Sequence, residues 1–343
     1  MKLIDAKEVV LEMFNHNLSL PVTAKDDEFL IPMLWSLPGE GKTSIIEELA
    51  KDMNADLRTV IVAQFDAGEL GGFPALDMER KLYERFAPFF MKEFSTDKPT
   101  ILFLDELPQA PLANLNLMAQ LVNERRIGEH RLPKNVTIVT AGNPMSARAG
   151  TVQLPSQLKD RLTHLSIETD HEGFRTYALA RGFRPEITSF LNDRPEWLQK
   201  FDPAADACPS PRSWARTNAI LGLTLKDSSL RGAIKGQIGD AGVTDFYGYL
   251  KMYNDIIPAE EIFANPETSE VPTAPDVMYA LCSNLAHKAN DDNAEAIVTY
   301  IKRFTSKEYA AFCMRDTLSR SPELKKNQHI AQWVVTEGRD LLL

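Results

Sequence analysis

Through the first half of the chain, apolar runs of strand length alternate with amphipathic stretches of helical period, and the alternation stops after Glu168. Leu30–Trp35, Thr59–Ala63, Thr100–Leu104, Val136–Ala141 and His164–Ile167 are short and rich in apolar and β-branched residues, which predicts five strands. Ser44–Asp52, Met78–Phe94 and Leu112–Asn123 predict helices between them. Residues 1–27 predict a further helix and a polar connection, with Val9, Val10, Met13 and Phe14 at helical spacing. Such an alternation predicts a mainly parallel sheet with helices on both faces. From Phe174 onward, helical periods are broken by Pro185, Pro195, Pro203, Pro209 and Pro211, and no strand is predicted. A proline-rich link over residues 256–275 sets off a last block, with helices near 276–288, 291–303, 307–319 and 323–342.

The first predicted strand runs into Ser36-Leu37-Pro38-Gly39-Glu40-Gly41-Lys42-Thr43-Ser44, ahead of a helix-forming sequence. A triphosphate needs several inward-pointing donors, a mobile cation and a hydroxyl for magnesium. Gly39 and Gly41 let backbone N–H groups come close, Lys42 can reach the β and γ groups, and Thr43 can ligate Mg²⁺. The helix that follows points its positive end at the anion. Pro38, Gly39, Glu40, Gly41, Lys42, Thr43 and Ser44 are thus the expected nucleotide-binding residues. Ser36 stands where the full pattern opens with glycine, a position that a small residue leaving a strand can fill without positive φ.

Hydrolysis requires further groups. The strand Thr100–Leu104 ends in Asp105-Glu106: Asp105 can hold the magnesium beside Thr43, and Glu106 can orient and deprotonate the attacking water. The strand Val136–Ala141 ends in Gly142-Asn143-Pro144, where the Asn143 amide can bond both the γ-phosphate and the water; Asn-Pro is also a common turn start. Arg161, just before the fifth strand, and Arg212, opening a helix in the all-helical part, can offer guanidinium to transition-state charge. Either alone reads as a surface ion pair, and their order after the other groups gives them weight.

Composition narrows the surroundings. At 343 residues, with 44% apolar and 25% charged residues, the chain has room for one large domain plus a smaller one or two, of ordinary globular make-up. No run approaches the ~18 apolar residues of a membrane helix. Met1-Lys2-Leu3-Ile4-Asp5 turns polar at once and lacks a signal-peptide core, so a cytoplasmic location is expected. Cys208, Cys282 and Cys313 lie far apart without metal-ligand spacing, which argues for unpaired structural thiols. A net charge of −10 argues against nucleic acid as partner.

The order of these motifs resembles that of AAA+ ATPases, and among them the MoxR branch grouped with the dynein-related type. Leu37–Thr43 corresponds to the Walker A motif, Leu102–Leu107 to Walker B and Ala141–Pro144 to sensor 1. Leu154–Arg161 is similar to the arginine-finger segment, and Pro209–Arg212 to sensor 2. The resemblance implies an α/β P-loop NTPase AAA+ core over residues 1–170, a parallel five-stranded sheet between helices. An all-α lid over 171–262 and a C-terminal helical region over 263–343 would follow. It implies ATP and Mg²⁺ as cofactors, with Arg161 pointing into the next subunit's site and Arg212 closing on its own. A homo-oligomeric ring is implied, usually a hexamer, whose hydrolysis moves the lid against the sheet domain and shifts loops around a central channel.

Ala67–Pro74, with Phe73, and Arg125–Arg131, read as a hairpin, are the candidate loops; ordinary connections are the alternative, and His130 is given no role. The resemblance also implies a protein client and a partner with a von Willebrand A domain. Three other readings stay open. A ring ATPase acting on nucleic acid, like a helicase loader, runs against the acidic balance. A non-hydrolysing scaffold runs against Asp105, Glu106, Asn143 and Arg161. A small-molecule P-loop kinase runs against the absence of a substrate-specific lid sequence.

Overall fold

The five apolar runs become one parallel sheet in the computed structural model, which describes residues 1–80, 82–95, 97–147 and 152–338. In chain order the elements are α1 (Leu3–Ser19), β1 (Pro32–Trp35), α2 (Lys42–Asp52), β2 (Asp56–Ile61), α3 (Ala67–Gly71), β3 (Pro74–Asp77) and β4 (Leu82–Arg85). There follow β5 (Thr100–Asp105), α4 (Leu112–Glu124), β6 (Arg126–Ile127), β7 (His130–Arg131), β8 (Val136–Gly142), α5 (Ser156–Lys159) and β9 (Thr163–Ser166). The sheet order is β2-β5-β8-β1-β9, so β1 lies between β8 and β9, with Leu34 paired to both Ala141 and Leu165. These elements belong to the first of two units, Met1–Asp170; the second is His171–Leu343.

Strand alternation sorts the core into two layers. Ile101 and Phe103 face α1 and α2, meeting Val10, Phe14, Ile46 and Leu49. Leu102 and Leu104 face the other way, toward Leu115, Met118, Leu121 and Val122 of α4. β8 is buried at every position, as a central parallel strand must be. β2 is an edge strand in which Val60 alone is buried, so Asp56, Arg58 and Thr59 are tolerated in it. This explains why the strand starts earlier than the predicted Thr59–Ala63 and gives way to a 3₁₀ turn at Val62–Gln64.

The predicted helix over Met78–Phe94 is absent. The segment forms instead the β3–β4 ribbon, with Leu76 opposite Tyr83, and a 3₁₀ turn at Phe89–Met91. The Asp77 carboxylate accepts from the Glu79 and Arg80 amides at 3.0 and 2.9 Å, closing a turn where the helix would begin. Met78, Leu82, Tyr83, Phe86 and Phe89 are all exposed, while the buried Phe90 and Met91 lie at the end, so no continuous core-facing stripe runs along the segment to stabilise a helix. Pro88 also disfavours helical geometry at the residue before it. Gly72, at φ 78°, enters the ribbon beneath the Phe86 carbonyl, where a Cβ would lie 2.0 Å from the oxygen.

Ala67–Gly71, expected as a flexible loop, is a short helix with a capping box: Glu69 N–H donates to Asp66 and Asp66 N–H to Glu69. The hairpin expected over Arg125–Arg131 is present, pairing Arg126 with Arg131 and Ile127 with His130. Its base is Arg125, at φ 50°, whose buried guanidinium lies 3.8 Å from the Phe29 ring centre and donates to the Pro133 and Val136 carbonyls. Burial lowers the pKa of this guanidinium to about 10.

The second unit is helical, with no strand among its described residues. One apolar cluster centres on Phe190, Trp214, Phe246 and Tyr249, from α7 (Pro185–Asp193), α8 (Pro211–Leu221) and α9 (Asp227–Asn254), the last broken at Gly239. Ahead of them α6 is His171–Ala180. Residues 256–275 are more than a link: α10 (Ala259–Ala264) buries Ala259 and Ile262 in a second cluster. That cluster is shared with α11 (Pro275–Lys288), α12 (Ala294–Ile301), α13 (Lys307–Arg320) and α14 (Gln328–Trp333). The last predicted helix, 323–342, is divided into a 3₁₀ turn at Pro322–Lys326, then α14, then a π turn at Val334–Gly338; its end lies outside the described residues. Among the described residues no helix is long and apolar enough to cross a membrane.

Fully buried Asp316 on α13 joins the helical blocks. It sits 3.6 Å from Arg175 on α6 and 3.3 Å from Arg320, which in turn donates to the Thr188 hydroxyl and the Phe183 carbonyl. Removing the carboxylate leaves two guanidinium groups buried without it. Asp316→Ala is expected to lower unfolding stability by about 3–5 kcal/mol, measured as the loss of helical circular dichroism in urea.

Candidate functional site

The site grows from the end of β1. After Trp35 the chain must turn sharply to enter α2, and Gly39 and Gly41 take φ values of 87° and 92°, where a side chain would be strained. Gly41 is the N-cap of α2, and among the described residues no side chain caps that helix. The first-turn amides of α2 point out of the helix end, and together with Lys42 they form a donor set suited to an anion. This is the group of donors that a nucleotide's phosphates require, and the residues present fit it.

Lys42 is 9% exposed. Its ammonium donates to the Ser36 carbonyl at 2.9 Å, the Ser36 hydroxyl at 3.0 Å, the Leu37 carbonyl at 3.4 Å and Asn143 Oδ1 at 3.0 Å. Ser36, the departure from the glycine pattern, thus supplies an oxygen that glycine lacks, and its own hydroxyl donates to Leu37 at 3.1 Å. Its φ is not positive, so the turn needs no glycine there.

One residue on, the Thr43 hydroxyl donates to Asp105 Oδ2 at 3.2 Å. Asp105 Oδ1 accepts from the Glu106 N–H at 2.9 Å, and Glu106 itself is exposed with a left-handed backbone, φ 55°. Thr43 and Asp105 form an oxygen pair suited to a hydrated magnesium, which takes few protein ligands and keeps several waters.

Lys42, Thr43, Asp105 and Asn143 are thus brought together with Ser36, across β1, β5 and β8. Gly142 makes this possible in a way the sequence motifs did not mark. A Cβ there would lie 2.1 Å from Pro108 Cδ, so only glycine lets the turn after Glu106 pack beneath the strand that carries Asn143. A proline shortly after a strand-end carboxylate and a glycine before the amide were the available signals.

Arg161 is exposed on the short connection between α5 and β9. That connection is pinned by His164, whose Nδ1 accepts from Trp35 Nε1–H at 2.8 Å. His164 Nε2 lies 3.1 Å from the Lys159 carbonyl, which can only accept, so the proton sits on Nε2. Trp35 and His164 also stack, with ring centres 5.9 Å apart. Arg212 stands in the helical unit, exposed in the first turn of α8, which Ser210 and Ser213 cap reciprocally. Glu40 is buried within the loop and accepts from the Thr169 hydroxyl, a partner that sequence spacing did not suggest.

The two candidate loops are joined. The link is Arg85, whose guanidinium donates to the Gly71 and Gly72 carbonyls at 3.4 and 3.2 Å. Its backbone N–H donates to Glu129 at 2.7 Å, and its carbonyl accepts from His130 Nε2 at 2.7 Å. The tip of β6–β7 thus holds both backbone groups of Arg85 at the end of β4. The Arg85 amide, followed by the residue's own backbone N–H, holds the Glu129 carboxyl below its usual pKa.

Residues 32–163 match the family model described as ATPase family associated with various cellular activities (AAA). No curated protein matches the sequence. Among solved structures, a lysine-to-arginine variant of Thermotoga maritima RuvB is 14% identical with a TM-score of 0.40, over 77% of this chain and 75% of that one. An alanine-to-serine variant of the same protein gives 14% and 0.40, over 76% and 73%. The matched segment, similar to an AAA ATPase domain, holds the loop of Lys42, the Asp105–Glu106 turn, Asn143 and Arg161.

Proposed function

We propose that this chain is an ATP-hydrolysing AAA+ ring ATPase of MoxR type, which couples hydrolysis to the remodelling or assembly of a protein client together with a von Willebrand A domain partner. The observation that carries the ATPase reading is the pair of hydrogen bonds Lys42–Asn143 and Thr43–Asp105, which link the phosphate loop to the ends of β8 and β5. The MoxR assignment rests on the motif order, and a hairpin ahead of the Asn143 strand supports it.

Bound ATP with Mg²⁺ would supply the phosphoanhydride bond and the cation that neutralises its charge. Lys42 and the amides of the loop and of the first turn of α2 bind the phosphates. Thr43 Oγ1 and Asp105 would hold the metal, their present hydrogen bond marking how close the two oxygens already stand. Glu106, exposed just beyond Asp105, takes the proton from the attacking water onto its carboxylate. Asn143 orients that water through its amide, and holds Lys42 when no phosphate does. Arg161, exposed on its own subunit, extends its guanidinium toward a neighbour's site, and Arg212 acts on its own.

Lys42→Ala should weaken ATP binding by at least about 100-fold, read by titration of a fluorescent nucleotide; binding at unchanged affinity would remove Lys42 from the site. Glu106→Gln is expected to keep that binding while turnover falls by about 10²–10⁴-fold, and in ATP this variant should retain the client in a pull-down. Mixed rings of Lys42→Ala and Arg161→Ala subunits should recover part of the ATPase rate that neither variant has alone. No recovery, with mixed assembly confirmed by mass, would assign Arg161 to its own subunit's site.

A further inference from the structure

The phosphate loop contains one group that anion binding does not call for. Glu40 places a carboxylate in a loop built to attract negative charge, and it is 8% exposed. Its Oε1 accepts from the Thr169 hydroxyl, while Oε2 is buried and has no hydrogen-bond partner among the described residues. A half-satisfied buried carboxylate is costly, so the one donor that it has is held firmly.

Thr169 is the residue before Asp170, where the sheet unit ends; the chain then enters α6 at His171. Two residues earlier, the Ile167 N–H donates to the Trp35 carbonyl at 2.8 Å, at the very start of the loop. The last stretch of the sheet unit is therefore fastened to the phosphate loop at both of the loop's sides, by backbone at Trp35 and by side chain at Glu40.

We propose that Glu40 and Thr169 form a latch that passes occupancy of the phosphate loop to the connector over residues 167–170. The inference rests on the nucleotide reading of the loop. Glu40 is a positioning residue in it: phosphate charge entering the loop raises the carboxylate's need for donors, tightens its hold on the Thr169 hydroxyl and orders the connector. Thr169→Val removes the donor while keeping shape, and Thr169→Ser restores it.

The test is hydrogen exchange of the amides of residues 167–171, with and without a non-hydrolysable ATP analogue, alongside the analogue's affinity. In the wild type the analogue should slow exchange there by at least about fivefold. Thr169→Val should abolish this slowing while the affinity stays within about threefold, and Thr169→Ser should bring it back. Equal slowing in Thr169→Val, or none in a wild type that binds the analogue, would overturn the latch and leave the nucleotide reading standing. A wild type that fails to bind the analogue would overturn both.

Discussion

A buried ammonium has to be surrounded by oxygen, and much of the sheet unit's upper edge is arranged to meet that demand. Lys42 draws on Ser36 and Leu37 from its own loop and on Asn143 from the end of β8. These bonds fix the distance between the loop and the neighbouring strand. On the proposed nucleotide reading, Lys42 would exchange neutral oxygens for phosphate oxygens without leaving its place, so the energetic cost of its burial would be met in both states. The same economy holds next door, where Thr43 and Asp105 are paired to each other at the place where a divalent cation needs two oxygens.

The packing under the site is as specific as the polar groups in it. Gly142 lets Pro108 close beneath β8, which sets the turn after Glu106 against the strand leading to Asn143. A side chain at 142 would push these apart and separate the two groups that, on the proposed function, act on one water. The left-handed backbone of Glu106 belongs to the same arrangement: it turns the chain off β5 while leaving the carboxylate exposed.

The legibility of the sequence followed burial. β5 and β8 are covered on both faces, so they read as apolar runs, and the motifs at their ends could be placed without a structure. β2 is an edge strand whose polar residues hid its start. Met78–Phe94 has helix-like spacing, but only its end, with Phe90 and Met91, reaches the core, and the Asp77 turn decides in favour of a ribbon. Asn143, Asp105 and Thr43 could be proposed from sequence because strand ends and a strand–loop–helix context mark where such residues stand, and the structure brings them together with Lys42. Thr169, Gly142 and His164 escaped because their roles depend on contacts between segments distant in sequence, which no local pattern encodes.

Arg161 and the phosphate loop share one strand as their reference. Trp35 ends β1 and begins the loop, and its indole N–H holds His164, which in turn holds the carbonyl of Lys159 two residues before Arg161. On the ring reading, each interface brings one subunit's loop against another's Arg161. Both are then set by copies of the same short chain of contacts. Errors in placing the guanidinium are limited to the flexibility of its side chain and of one interface, because the scaffold on either side is rigid strand. An exposed arginine on an otherwise unremarkable turn is thereby held at a fixed offset from a site that it does not touch in its own subunit, which is the geometry that completion by a neighbour requires.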